Sequence, residues 1–478
     1  MFDVLIIGCG VVGAAVAYNL SQYNLKLGIL EKENDVATGT TKANSAIIHA
    51  GYDPKSGTLM AQLNVRGAQL TQEICEKLEV EYQQIGSLVV AFSPEELEKV
   101  EGLYRQGIKN GVPRLKLVDA QELRTLEKDI SPKAVGALYA PTAAIVDPWD
   151  LCLAMAQTAV VNGAQLELNS EVTEIKKTEN GFLVRAGGKE YETKIIFNAA
   201  GIYADKVHNL VAKPSFTIRP RSGQYYLLDK SQGEKARHII FQCPVGGTKG
   251  VLVAPTVHGN LIVGPDSTPV DGMGTDTTGE GLEFVRERGA KTIPSINFKE
   301  NIRNFAGLRA AADREDFIIE GAEGAQGFFD LVGIKSPGLS AAAAIGERAV
   351  ELARGAGLEL VQRQSFCDTR RVVHFNKLSK KEKQELIATD PSYGRVVCRC
   401  ETITEGEILA CLKAPIPPVS IDGVKRRVGA GMGRCQGGFC SPRVLEILAQ
   451  HRGVAPEEIC LDTQGSFILT GRTKGGKE

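Results

Sequence analysis

The strongest constraint on the fold lies at the start of the chain. Residues 2–7, Phe-Asp-Val-Leu-Ile-Ile, form a short apolar run rich in strand formers, and Gly8-Cys9-Gly10-Val11-Val12-Gly13 follows at once. Ala14, Ala15, Val16, Ala17 and Leu20 then recur at helical spacing, and residues 25–30 read as a second strand ending beside Glu31. A lone G-x-G-x-x-G is a weak signal. Set between two strands and a helix, with an acid eighteen residues after the last glycine, it predicts a βαβ dinucleotide site. Gly8 permits the tight turn, Gly10 lets the backbone approach a pyrophosphate, and Gly13 lets the helix pack on the strand. The free N–H groups of the helix start face phosphate, and the Glu31 carboxylate accepts from ribose hydroxyls.

Beyond this unit, residues 59–79, 94–110, 149–161 and 339–354 read as helices. Residues 84–92, 165–197, 215–270 and 328–334 read as strands and their turns. A formal net charge of −1, from 56 basic and 57 acidic side chains, argues against nucleic acid as a partner. The first Lys or Arg is Lys26, so the apolar start reads as a strand followed by glycines rather than as a signal peptide, and no run of about 18 apolar residues predicts a transmembrane helix. Eleven cysteines, an odd number, do not suit a disulfide scaffold in a chain of 478 residues. The expected location is therefore the reducing cytoplasm, with peripheral contact at the inner face of a membrane through a partner left open.

Four cysteines carry a pattern: Cys398-x-Cys400, then 34 residues, then Cys435-x4-Cys440. Four thiolates satisfy either a [2Fe–2S] cluster or zinc, and a single residue between ligands is unusual for structural zinc. Cys9, Cys75, Cys152, Cys243, Cys367, Cys411 and Cys460 read as ordinary small buried or half-buried residues. His49 stands in a Gly- and Ser-flanked segment rather than on an apolar helix face. A neutral imidazole there could take the proton of an alcohol, or it could only hold backbone or cofactor.

A bare dinucleotide motif does not separate FAD from NAD, since both carry ADP-ribose. Residues 31–51, from Glu31 to Gly51, resemble the segment after the second strand in glycerol-3-phosphate oxidases and dehydrogenases. L-2-hydroxyglutarate oxidases share it, and both groups belong to the glycine-oxidase and D-amino-acid-oxidase superfamily. Asn198-Ala-Ala-Gly-Ile-Tyr-Ala-Asp205 and Gly333-Ile-Lys-Ser-Pro-Gly-Leu-Ser340 resemble two further motifs of that superfamily. The similarity runs over residues 1–360 and implies non-covalent FAD, with the helix after Gly338 aimed at the flavin ring. It implies cofactor contacts at Gly8, Gly10, Gly13, Glu31, Lys32, Thr41, Asn44, Ser45, Val172, Gly201, Gly338 and Leu339. The resemblance also implies His49, at the position of a histidine beside the flavin, as the base. Residues 246–264 resemble the glycerol-phosphate branch, which implies Lys249, Arg309 and Ser336 at the substrate pocket. The residues themselves also allow Lys249 as a solvated hairpin lysine and Arg309 as an ion-pair partner of Asp313 or Asp316, and His258 reads as structural.

The flanks of the four cysteines, residues 397–401 and 431–442, resemble bacterioferritin-associated-ferredoxin-like domains, implying [2Fe–2S] rather than zinc. Helices after Thr404 and from Pro442 fit that small fold. The expected architecture is α/β. A doubly wound FAD domain (1–75, 146–204, 306–360) carries an inserted mixed-sheet substrate or cap domain (76–145, 205–305). A linker (361–394) with one solvated helix leads to a helical [2Fe–2S] domain (395–455) and a tail (456–478) that frays from Gly471. The expected activity is FAD-dependent oxidation of glycerol 3-phosphate to dihydroxyacetone phosphate. Electrons would pass through the cluster to a partner subunit, a quinone or a soluble carrier. A cluster is superfluous for direct reduction of oxygen, which favours a dehydrogenase. The alternatives are oxidation of L-2-hydroxyglutarate, an electron-transfer subunit of a larger flavoprotein complex, and a C-terminal docking module with a structural metal.

Overall fold

A computed structural model describes residues 1–244, 250–270 and 272–471. The opening run is the strand Phe2–Ile7 of an eight-stranded sheet. It pairs in parallel with Leu27–Leu30 on one side and Lys189–Asn198 on the other, and Gln165–Glu167 extends the first flank. The far edge of Lys189–Asn198 is shared: Gly181–Ala186 covers its start in antiparallel sense, and Phe328–Val332 pairs with its end in parallel. Helices Val11–Leu20, Leu59–Lys77, Pro148–Val161 and Gly338–Gly355 pack together, and all four bury residues in one core with Val4, Ile6 and Ile29. Leu5, Ile7, Phe182 and Phe328 fill the opposite face, closed by the curled hairpin Val172–Ala186 and the short helix Ala204–His208.

Small residues let these helices meet backbone to backbone. A Cβ on Gly346 would lie 2.5 Å from the Ala15 carbonyl oxygen, and one on Gly67 2.1 Å from that of Ser340. The Ala-rich helix Gly338–Gly355 is thus fixed against both neighbours, and with it the residues at its N-terminus.

A second, nine-stranded sheet is mixed. Arg221–Leu228 runs antiparallel to Asn301–Arg309 along its length, while Ile239–Gln242 pairs in parallel with Ser87–Ala91. The strand Asn301–Arg309 crosses residue 306 and stays in this sheet throughout. Its end is pressed against the loop after Glu31: Thr40 Oγ1 donates to the Leu308 carbonyl at 2.8 Å, and a Cβ on Gly307 would fall 2.0 Å from the Ala43 oxygen. A small three-stranded sheet joins Ile47–Ile48, Ala144–Val146 and Tyr82–Gln83.

The start of the segment that leads to the C-terminal unit, residues 361–371, lies along the first domain. Asn24 N donates to Val361 O at 2.8 Å, Arg363 N to Gln22 O at 2.9 Å, and Arg370 pairs with Asp150 at 2.5 Å. The solvated helix is Lys380–Thr389, closed by a capping box at Ser379. The C-terminal unit has the short hairpin Val396–Thr404 and the helices Glu405–Leu412 and Ser441–Arg452. It also has a third helix, Ile421–Val428, that stops at Gly429 with φ +79°. Residues 456–471 are tied down: Cys460 bridges Ser420 and Phe467 within the C-terminal unit, and Asp462 accepts from Asn34 and Lys42 of the first domain. The expected fraying beyond Gly471 lies outside the described residues. Among the described residues no helix is long and apolar enough to cross a membrane.

Candidate active site and cysteine cluster

The two large sheets face each other across a cavity of about 1720 Å3. Gly8, at φ +95°, makes the turn at its floor; a Cβ there would lie 2.6 Å from the Ala199 oxygen. Gly10 opens the helix without a side-chain cap, and the Val11 N–H is taken by Thr41 Oγ1 at 3.0 Å. Gly13 does not line the cavity. A Cβ on it would sit 2.0 Å from the Gly8 oxygen, so its place is in helix-to-strand packing. Glu31 lines the cavity and accepts N–H bonds from Cys9 at 2.7 Å and Glu33 at 3.0 Å. Burial raises its pKa, and those two amides only partly offset the rise. Lys32 pairs with Glu33 and lies 4.3 Å from the Tyr203 ring. Asn44 bridges the Thr41 carbonyl and the Ala46 N–H, and Ser45 Oγ lies 3.0 Å from the Tyr225 hydroxyl. Val172, Gly201, Gly338 and Leu339 line the same cavity, and the helix opening at Gly338 also has no side-chain cap. A cavity floored by glycines and met by two helix starts whose own N-cap residues offer no side chain suits a dinucleotide with an extended second half.

His49 follows the strand Ile47–Ile48 directly. Its N–H donates to Ser340 Oγ at 2.7 Å, and its carbonyl accepts from Asn64 Nδ2 at 2.6 Å. The ring stacks on Phe241 with centroids 5.6 Å apart, and Nε2 lies 3.4 Å from Ser336 Oγ. Both His49 and Ser336 line the cavity. Arg309 lines it too, donating to the Ser222 carbonyl at 3.0 Å and the Asp266 carbonyl at 3.1 Å. The ion-pair alternative is not what the structure holds. Asp313 accepts from Thr217 N, and Asp316 caps the helix Leu59–Lys77 through the Leu59 and Met60 amides. Lys249 lies outside the described residues.

Sequence reasoning missed Arg221. It lines the cavity and stands directly opposite Arg309 in the antiparallel register, so both side chains leave the same face of the sheet. Only strand register, spanning 88 positions, brings the two together. His258 does pair structurally, with Asp147 at 3.2 Å.

The cysteines meet at the ends of two loops. Cys400 and Cys435 place their sulfurs 3.7 Å apart, the edge expected when two thiolates share one tetrahedral ion at about 2.3 Å each, roughly 3.8 Å. The neighbouring Cys440 thiol lowers Cys398 to about 6, aided by the Gly431 and Glu401 amides, while Cys398 pushes Cys440 up. The Phe439 and Gly437 amides likewise lower Cys435. Gly433 is required beside this loop, since a Cβ there would lie 2.2 Å from the Cys400 Cβ. Among the described residues no three His, Cys, Asp or Glu side chains converge as a group on a single ion; the thiols stand as two neighbouring pairs. Two pairs with amides aimed at sulfur are the donor set of a binuclear iron–sulfur cluster.

Residues 3–352 match the family described as FAD dependent oxidoreductase, and residues 396–450 match the BFD-like [2Fe-2S] binding domain. The chain is 48% identical over 476 residues to a glycerol 3-phosphate dehydrogenase of Caloramator mitchellensis, covering 99% of each chain. It is 30% identical to an L-2-hydroxyglutarate dehydrogenase of Escherichia coli, over 65% of this chain and 71% of that one. Its fold superposes on the dithionite-reduced, FAD-bound L-alpha-glycerophosphate oxidase of Mycoplasma pneumoniae with a TM-score of 0.74 and 34% identity. That match covers 78% of this chain and 99% of the oxidase. The chain belongs to the FAD dependent oxidoreductases, with FAD as the cofactor of its first large unit and a [2Fe–2S] cluster as that of its C-terminal domain.

Proposed function

We propose that the protein oxidises glycerol 3-phosphate to dihydroxyacetone phosphate and passes the electrons through its cluster to an external acceptor. The observation that carries this reading is the opposed pair Arg221 and Arg309 on the cavity wall. Like charges directly opposite each other on a sheet are unfavourable unless an anion lies between them, and a planar guanidinium suits phosphate oxygens. The dehydrogenase and oxidase relatives, both named for glycerol phosphate, support the same substrate.

In this reading Arg309, Arg221 and Lys249 hold the phosphate, and His49 Nε2 receives the proton of the secondary hydroxyl. Ser336 Oγ and the Phe241 ring orient the imidazole. Ser340 and Asn64 fix the His49 backbone on both sides, so the ring has little freedom to leave the substrate. Gly8, Gly10, Glu31, Lys32, Thr41, Asn44, Ser45, Val172, Gly201, Gly338 and Leu339 hold the dinucleotide, and Gly13 sets the helix that receives it. Bound FAD supplies the two-electron acceptor for the substrate's carbon-bound hydride. Cys398, Cys400, Cys435 and Cys440 hold the cluster. Exit of electrons there is supported by the exposed Cys400 and by Phe439, 86% exposed beside the ligand Cys440.

Anaerobic titration of the iron-replete protein tests this. Glycerol 3-phosphate, and not L-2-hydroxyglutarate, should bleach the flavin band at about 450 nm. Bleaching by the hydroxy acid alone would move the substrate to that class. No bleaching by either, in protein that dithionite reduces, would overturn both and leave an electron-transfer subunit.

A further inference from the structure

The segment after the last helix of the cluster domain returns to the flavin cavity. Leu461 N donates to Ser466 O at 2.7 Å and Asp462 N to Ser466 Oγ at 2.9 Å, so residues 461–466 form a tight turn. Thr463, inside that turn, lines the same cavity as Gly10 and Glu31.

A chain of charged bonds holds the turn in place. The Asp462 carboxylate accepts from Lys42 Nζ at 2.9 Å and from Arg426 at 2.6 Å, and its backbone carbonyl accepts from Asn34 Nδ2 at 2.8 Å. Arg426 and Arg427 also converge on Asp35, at 3.0 Å and 2.8 Å. The Arg426 and Asp35 side chains are only 3% and 2% exposed. Asn34, Asp35 and Lys42 belong to the loop after Glu31 that walls the dinucleotide site. Taking such charges out of water is costly, so these buried pairs are weak evidence of net stability, while their geometry fixes one register between the two domains. The register imposed here seats an element of the cluster domain in the wall of the flavin cavity.

We infer that the turn 461–466 is part of the flavin site, a clamp by which the docked cluster domain retains FAD. This goes beyond the assignment of substrate and does not depend on it. The test is titration of deflavinated, iron-replete, full-length protein with FAD, without substrate, for Asp462→Ala, Asn34→Ala and the double variant. Asp462→Ala loses two charge-assisted bonds and should raise the FAD dissociation constant about tenfold. Asn34→Ala should raise it about threefold. Because both changes loosen one turn, the double variant should be weaker than Asp462→Ala by less than about threefold. Iron content and cluster absorbance should be unchanged. FAD affinity within about twofold of the unaltered protein in both single variants would overturn the inference. Should Asp462→Ala lose iron, Asn34→Ala decides, because Asn34 lies in the flavin domain.

Discussion

The two cofactor sites are built on opposite plans. The flavin cavity depends on what is missing: Gly8, Gly13 and Gly307 each stand where a Cβ would come within 2.6 Å of a backbone oxygen. The cluster site depends on what is present, four thiols on two loops, with Cys400 exposed and Cys398 buried. A cradle of backbone is destroyed by adding an atom, and a set of ligands is destroyed by removing one. The largest effects should follow this division. Gly13→Val places side-chain atoms against the Gly8 carbonyl, which has no flexible end to move, and should abolish FAD binding while iron and acid-labile sulfide persist. Cys398→Ser should do the reverse, losing iron while substrate still bleaches flavin in excess FAD. A Gly13→Val protein that keeps its flavin band would break the contrast.

Next in size is the proton step. His49→Asn should slow anaerobic flavin reduction by glycerol 3-phosphate about 10^2–10^4-fold at saturating substrate, with FAD content unchanged. Single-turnover absorbance measures it, and a rate within about twofold of the unaltered protein would return His49 to a purely structural role.

The legibility of the two plans differs in the same way. The glycine turn, Glu31 and the four cysteines are local patterns, so their spacing exposes them before any fold is known. The helix Ile421–Val428 left no such trace, being a short run with three basic residues near its end. Arg221 was out of reach, because only the pairing of Arg221–Leu228 with Asn301–Arg309 sets it opposite Arg309. The clamp is more remote still: Asp35 and Arg426 are 391 positions apart, and neither residue type is unusual where it stands. Arg309 shows the limit of charge counting along a chain. Its acidic neighbours Asp313 and Asp316 are drawn away to cap backbone, and two carbonyls orient the guanidinium instead.

The anion clamp sharpens the comparison at intermediate size. Arg221→Met and Arg309→Met should each raise the dissociation constant for glycerol 3-phosphate about 10- to 100-fold, the worth of one charged hydrogen bond or two. Because each removes one of two opposed like charges, neither should lower the melting temperature of the substrate-free protein appreciably. A large loss of melting temperature without a change in substrate affinity would make the pair structural.

The smallest effect concerns His258, outside both cofactor sites. Burial by itself would lower its pKa, but the hydrogen bond and charge of Asp147 outweigh that and raise it above the ordinary histidine value. A folded-state pKa above the unfolded one, about 6.5, makes the His258–Asp147 contribution complete below that pH. The contribution is lost as pH rises through the folded value. The His258 side chain is 42% exposed, so solvent screening holds the pair to about 1 kcal/mol or less. His258→Asn should therefore lower the denaturant midpoint more at about pH 6 than at about pH 9, with FAD and iron content unchanged at both. Asp147 also accepts the Trp149 and Asp150 amides at the start of the helix Pro148–Val161, and those bonds survive the change. An equal loss at the two pH values would mean that the histidine contributes through packing rather than through charge.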